Sequence, residues 1–305
     1  MAKGISVIIE TFNFAADEAD LETLRRNIES LRQQTYSGDM EIIVVVNENN
    51  SFLLSKISGI NGITAVKTPA TGYVAMKNAG LVHAKFDFAA FCDSDVEVSK
   101  NWLEEAFSAL QENEAVTGTT KYNPGVFSKA LTIMMFGFVQ GAARKEVGLV
   151  VGNNMAFRKS LLDKYALIEK PARGGLTIFS NKIISVGKKI VFNPKMRARH
   201  KYSPGLFWQK MLTDSHDYVK TIQAAPWLKP VPLASFWVVS VFLITAKQFG
   251  KDLKNFLLHH SNVGVGFYEF PAYALLFAIA RALFFLGLII AIVSPGWTER
   301  KYGVY

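Results

Sequence analysis

Phe88-Ala89-Ala90-Phe91-Cys92-Asp93-Ser94-Asp95 is a short apolar run that passes directly into an acidic triplet. An unbroken apolar run of this length, bounded by polar residues, marks a strand buried on both faces of a parallel sheet. Ligands in open α/β sheets sit at the carboxyl ends of such strands, so the triplet stands where a ligand belongs. The same pattern occurs upstream. Ile5-Ser6-Val7-Ile8-Ile9 and Glu41 to Val46 predict buried strands, and between them Leu21, Leu24, Ile28 and Leu31 fall at helical spacing among charges. Val74 to His83 predicts the helix before the Phe88 strand, and Glu97 to Leu110 an amphipathic helix after it. This βαβ order is that of an α/β nucleotide-binding sheet with helices on both faces. Gly148 to Phe157 and Lys189 to Phe192 predict later strands, with Gly174-Gly175 in a loop between them.

The chain has 305 residues, half of them hydrophobic, and a formal charge of +9. Charges are interspersed up to about Lys229, whereas Val231 to Ala246 and Pro271 to Val293 are almost uncharged. A boundary is therefore expected near Pro226-Pro230-Pro232, giving a soluble domain over 1–229 and a membrane-anchoring helical region over 230–305. The positive charge suits either nucleic acid or an anionic membrane surface. The apolar tail favours the membrane, and with no base-reading basic helix and no zinc-type Cys/His spacing, nucleic acid is set aside. Cys92 is the single cysteine, which forms no intrachain disulfide and fits a domain facing the reducing cytoplasm. Met1-Ala2-Lys3-Gly4 runs straight into a strand without a signal-peptide pattern.

Pro271 to Val293 carries only Arg281 and as a helix is about 34 Å long, enough for a ~30 Å hydrocarbon core. Arg281 is costly in lipid and is expected to face the other tail helix, the soluble domain or a head group. Val231 to Ala246 is about 24 Å long and short for a clean span, which leaves open tilt, local thinning or a re-entrant path, and with them either two spans or a monotopic anchor. Between them, over 247–262, Phe249, Leu253, Phe256 and Leu257 share a helical face near Lys247, Lys251 and Lys254, the pattern of a helix lying in the interface. Phe127 to Val139 is too short to span and is expected to be a core or interfacial helix.

Carboxylates at Asp93 and Asp95, one residue apart on a rigid strand end, can share a hard cation such as Mg²⁺ or Mn²⁺ with diphosphate oxygens. Such a cation neutralises charge on a leaving nucleoside diphosphate. With this chemistry in view, residues 5–229 resemble the family 2 glycosyltransferases of GT-A fold. Val7-Ile8-Ile9-Glu10-Thr11-Phe12-Asn13 looks like the family's first motif, and Lys77-Asn78-Ala79-Gly80 is similar to its Arg-Asn-x-Gly helix. Asp93-Ser94-Asp95 with Trp102-Leu103 matches the metal motif, and Gly152-Asn153-Asn154-Met155-Ala156-Phe157-Arg158 resembles the acceptor-side strand.

The resemblance implies nucleotide contacts from Thr11, Phe12, Asn13, Asn47, Glu48, Lys77, Asn78 and Asp93, and acceptor contacts from Asn153, Asn154 and Arg158. It implies Asp95 as principal metal ligand, with Asp93 on the ribose or metal and His200 completing the shell. The expected donor is a nucleoside-diphosphate sugar, UDP-linked ahead of GDP-linked.

Two departures from the family pattern bear on substrate. The second strand ends in Asn47-Glu48 rather than paired aspartates, which leaves the nucleotide open. The Glu-Asp pair that supplies a general base in relatives with hydroxyl acceptors is replaced at Gly174, Gly175 and Leu176. A sugar hydroxyl needs a base, whereas a phosphate oxygen is already anionic. The missing pair and the apolar tail together point to a lipid acceptor, polyprenyl phosphate or a glycolipid, in cell-envelope glycan synthesis at the membrane. Basic residues including Arg144, Arg173, Arg197 and Lys201 flank the later strands and suit such an acceptor. Glu169, Asp214 and Asp217 are the candidates for a displaced base if the acceptor is a glycan hydroxyl. A degenerate, nucleotide-binding membrane partner of another transferase is the remaining alternative.

Overall fold

The computed structural model describes residues 2–14, 17–171, 174–203, 205–228 and 237–302. The expected boundary at 229/230, the start of the 231–246 segment and Arg173 lie outside them.

The apolar runs form the strands expected of them. β1 (Ala2–Glu10), β2 (Asp39–Asn47), β3 (Thr64–Thr68) and β4 (Phe86–Asp93) are parallel, in the order β3-β2-β1-β4. Their crossovers carry α1 (Glu18–Arg32), α2 (Ser51–Ile57) and α3 (Tyr73–Leu81). The Asp17 carboxylate starts α1 by accepting from the Asp20 N–H, satisfying a helix donor that would otherwise lack a partner. Because side chains alternate along a strand, β1 sends Ile5, Val7 and Ile9 to one face, packed with Leu21, Leu24, Ile28 and Leu31 of α1. Ile8 goes to the other face with Ile43, Val45 and Met76. There α3 lies close on the sheet at Gly80, where a Cβ would come within 2.6 Å of Ile8 and 2.7 Å of Val45. The glycine of Lys77-Asn78-Ala79-Gly80 thus serves packing.

Beyond β4 the sheet continues through β8 (Met155–Arg158), β6 (Ala115–Tyr122), β9 (Ile190–His200) and β5 (Val96–Val98), with β7 (Lys145–Val147) also on β9. The β4–β8, β8–β6, β9–β5 and β9–β7 pairs are antiparallel. Trp102 and Leu103 open α4 (Trp102–Glu112), and α6 (Lys159–Lys164) follows β8.

Four expectations for the sheet and its helices change, the first being that the helix expected from Glu97 begins only at Trp102, because Val96–Val98 pair with β9 as β5. The 148–157 stretch is regular strand only from Met155, because Val151 and Asn154 close a tight bridge ahead of it. The strand expected at Lys189 to Phe192 runs on to His200, held by β5 and β7. Gly174-Gly175 is not a loop but the opening of α7 (Gly174–Ser185). A Cβ at Gly175 would lie 1.8 Å from the Ile168 carbonyl oxygen, and one at Gly174 1.8 Å from Thr221 Oγ1. The glycines permit close chain approach, which outweighs their poor helix propensity.

Two compact units divide the contacts: Met1–Thr120 with Ala142–Glu169 and Gly175–Lys201, and Lys121–Gly141 with Lys170–Gly174 and Tyr202–Tyr305. The second unit is helical, with α5 (Val126–Phe136), α8 (Leu206–Ala224), α9 (Trp237–His259), α10 (Phe270–Val293) and α11 (Pro295–Tyr302). The apolar segment ending at Ala246 and the link expected from 247 are not separate elements where described, since α9, Trp237–His259, crosses their junction without a break. On its amphipathic face Phe256 is buried among Ile133, Tyr273 and Phe277, with Phe249 and Leu253 packed beside them, so protein covers much of the face expected to meet an interface. Periodicity reveals such a face but not its partner. Arg281 of α10 meets Asp252 of α9 in a two-point pair at 2.6 and 2.9 Å, so it faces the other tail helix. Among the described residues one helical stretch, Phe267–Val293, is long and apolar enough to cross a membrane.

Candidate active site

β1 leads by its crossover to β2 on one side, while the chain later returns through α3 to β4 on the other, making the carboxyl ends of β1 and β4 the switch point of the sheet. Register places Glu10 beside Asp93 at this point. Two adjacent buried carboxylates need a counter-charge, and α3 supplies it. Lys77 is fully buried, its Nζ 2.8 Å from Asp93 Oδ1 and 4.0 Å from Glu10 Oε1. Tyr73, one helical turn earlier, donates its hydroxyl to Asp93 at 2.9 Å, and its ring lies 4.4 Å from the ammonium. Glu10 Oε2 accepts the Phe12 N–H at 2.6 Å.

Burial alone would raise the Asp93 carboxyl, but Lys77, then His200 and the Lys77 and Tyr73 hydrogen bonds, hold it below its ordinary value. Glu10 is pushed well above its own, by burial first and by the Asp93 charge second. For Lys77, burial favours the neutral amine, yet Asp93 and Glu10 outweigh it and the ammonium is stabilised. The cluster is therefore a Lys77–Asp93 ion pair with Glu10 biased toward its protonated form.

The turn that follows presents Asp95. Asn27, buried on α1, donates its amide to the carbonyls of Asp93 and Val96 and so clamps the triplet at both ends. β5 then pairs Val96 with His200, which brings the imidazole beside the acidic turn. His200 Nδ1 lies 2.9 Å from the Lys201 carbonyl and 3.5 Å from Asp95 Oδ2. With Nδ1–H donating to that carbonyl, the lone pair sits on Nε2. Desolvation raises the Asp95 carboxyl, against the pull of His200. Asp93, Asp95 and His200 each offer a ligand atom, all within 4.8 Å of one another. Two carboxylate oxygens and an imidazole suit Mn²⁺ or Mg²⁺.

At the ends of β1 and β2, Thr11, Phe12, Phe14, Asn47, Asn49 and Phe52 line a cleft of about 380 Å³, the lower range of small-ligand sites. Thr11 donates to the Val45 carbonyl, and Asn47 bridges the Ala70 carbonyl and the Asn49 N–H. Asn13 and Glu48 are exposed and are not part of this lining.

Other candidates lie elsewhere. Lys77, expected to contact nucleotide, is buried behind Asp93. Asn78 donates to the Leu167 carbonyl and to Glu169, both at 2.9 Å, tying α3 to the segment before α7. Asn153 accepts from Thr120, and Asn154 is a buried hub, accepting from Trp102 Nε1 at 2.8 Å and donating to the carbonyls of Thr119 and Met196. Arg158 pairs in register with Phe88, at the end of β4 remote from Asp93, and donates to the carbonyls of Gln111 and Asn113. It is not drawn into the site, because its charge is engaged by the C-terminal carbonyls of α4. Asp214 belongs to α8 in the second unit, 3.8 Å from Lys210. The sequence did not single out Glu10 or Tyr73. A carboxylate ending a buried strand was the available signal for the first, and the i, i+4 spacing to Lys77 for the second.

A sheet of this order, with carboxylates at its switch point, defines an α/β protein of the GT-A type. The family model for glycosyl transferase family 2 matches residues 6–166, more than half of the chain, and the chain belongs to that family. Chondroitin synthase from Escherichia coli is 28% identical over 126 residues, covering 39% of this chain and 18% of that protein, so the match spans less than a fifth of the relative. A crystal structure of S. aureus TarS 1-349 in complex with UDP is similar with a TM-score of 0.50 and 16% identity, covering 98% of this chain and 92% of that one, a likeness of fold.

Proposed function

We propose that the protein is an inverting, metal-dependent glycosyltransferase that moves a sugar from a nucleoside-diphosphate sugar to a membrane lipid carrier. The observation that carries this is the convergence of Asp93, Asp95 and His200 beside the acidic turn at the sheet's switch point. Thr11, Phe12 and Asn47 of the nearby cleft hold the nucleotide, with Phe12, Phe14 and Phe52 offering ring faces to a base. UDP is the favoured nucleotide, supported by the UDP complex of the TarS fragment, with GDP second. Asp95, Asp93 and His200 hold Mg²⁺ or Mn²⁺, which when bound offsets charge on the diphosphate. Tyr73 and Lys77 keep Asp93 ionised and aimed.

The acceptor is proposed to be polyprenyl phosphate. Its phosphate oxygen attacks the sugar's anomeric carbon as the bond to the nucleoside diphosphate breaks from the opposite side, and no proton need be removed from the nucleophile. Gly174 and Gly175 at the start of α7 offer no base, which accords with such an acceptor. The catalytic domain, 1–229, would face the cytoplasm at the membrane, with 230–305 as its anchor.

The test is incubation of the purified chain with labelled UDP-sugars, Mn²⁺ and polyprenyl phosphate, following label into the lipid phase. Asp95→Asn or chelation with EDTA should lower transfer at least about a hundredfold, the scale of a lost electrostatic contact. Transfer that survives both disproves the metal role. Transfer to a glycan hydroxyl that is lost in Glu169→Gln, with none to lipid, disproves the acceptor, and absence of turnover with every donor disproves the enzyme.

A further inference from the structure

We infer that the second unit attaches to an anionic bilayer by lying in its surface, α9 and α10 along the membrane plane, and that α10 does not cross it. This rests on the membrane attachment proposed above and specifies its geometry.

α10 has two unlike sides. Leu275, Ala278, Ile279, Ala282, Leu286 and Val293 recur at steps of three, four and seven, all exposed and all apolar. The opposite side is packed along α8. Phe284 meets Tyr218 with ring centroids 6.2 Å apart, and Gly287 lies so close that a Cβ would come within 2.0 Å of Ser215 Oγ. α8 carries Lys210, Asp214, Asp217 and Lys220. If α10 spanned the hydrocarbon, this helix would be drawn in beside it with its charges, each costly there. The Arg281–Asp252 pair seals the other polar contact of α10 against α9, away from the exposed stripe. One side of α10 suits lipid and the rest is already committed to protein.

α9 continues the surface. Val239, Phe242, Leu243 and Ala246 are exposed at helical spacing, followed by exposed Lys247, Lys251 and Lys254, while Asp252 is buried. An apolar face flanked by lysines, with the helix's acidic group turned inward, matches anionic head groups above acyl chains. A second copy meeting the same face would set lysine against lysine, so charge favours lipid. Phe267 and Tyr268, exposed in the turn just before α10, are residue types that favour the interfacial layer.

The full chain is tested on vesicles of phosphatidylcholine with and without phosphatidylglycerol. Binding should need the anionic lipid, and Lys247→Glu with Lys254→Glu should weaken it roughly tenfold or more. Leu275→Glu with Leu286→Glu should abolish binding while leaving the thermal melt of the soluble protein near wild type. Orientation is read from fluorophores on Leu275→Cys, Ala282→Cys and Val293→Cys, the buried Cys92 leaving the introduced thiols selectively reactive. The outer two positions lie about 27 Å apart along the helix. Equal depth for all three supports the in-plane arrangement. A profile deepest at 282, with either end reached only from the vesicle interior, overturns it while membrane attachment stands. No vesicle binding, together with a dimer that the glutamate substitutions dissociate, overturns both and assigns the face to a second copy.

Discussion

Replacing Lys77 by methionine keeps the unbranched apolar stem as far as Cε but removes the charged nitrogen between two carboxylates. Lys77 is fully buried, Asp93 nearly so, and their nitrogen–oxygen distance is 2.8 Å. Removing one partner of such a pair leaves an uncompensated buried charge and costs about 3–5 kcal/mol. At about 2–4 °C per kcal/mol for a unit of this size, melting should fall by roughly 6–20 °C. The pair's contribution has defined limits. Asp93 is lowered from 3.8, so its share is present above that value and lost as pH falls through the folded one. Lys77 is raised from 10.5, so its share is present below that value and lost as pH rises through the folded one. The neutral range is therefore where urea denaturation of metal-free protein, followed by circular dichroism, should register the whole loss. Adding Asp93→Asn should recover part of it, because the stranded carboxylate is the main cost. A Lys77→Met protein within about 0.5 kcal/mol of wild type, but with weakened UDP binding, would refute this and return Lys77 to the nucleotide.

Glu10→Gln should act in the opposite sense. The Glu10 carboxyl is raised well above 4.5, so its ionisation costs stability as pH climbs from about there through the folded value. The glutamine should be the more stable at neutral pH and show no advantage in acid. Calorimetry across pH checks this, and a less stable variant at neutral pH would mean that Glu10 is ionised against Lys77. Asn154→Ala should cost about 2–4 kcal/mol in urea, since Trp102 Nε1 and the carbonyls of Thr119 and Met196 lose their partner together. An effect below about 1 kcal/mol would mean that water replaces the amide.

β1, β2 and β4 of the parallel half were legible because burial on both faces leaves a plain mark, as in Ile5 to Ile9 and Phe88 to Cys92, whereas the partly exposed β3 was not expected. The antiparallel half was legible only in part: strands were expected where β8 and β9 lie, but not at β5, β6 or β7. Ala115 to Tyr122 is rich in threonine and broken by Gly118, yet it is a strand, and the glycine is needed where a Cβ would come within 1.9 Å of the Met196 carbonyl. β5 and β7 are three residues each, too short for any period to show. The acidic turn and His200 were found by type and order, whereas the wiring around Asp93 depends on register between β1 and β4 and on which way α3 turns its lysine. Neither is written in local sequence. Arg158 shows the converse, a motif position whose charge the fold spends elsewhere.

Cys92 adjoins Asp93, is wholly buried, and has its thiol pushed up to about 12, chiefly by burial. In the closed protein it is shielded and almost entirely un-ionised, so a thiol reagent reaches it only when the sheet opens at its ligand end. With no other cysteine to compete, its alkylation rate is a clock for that opening, and any molecule that bridges β1, β4 and the acidic turn should slow it. The chain thus carries a native reporter of site closure one residue from Asp93, readable by mass without a substrate or a change in sequence.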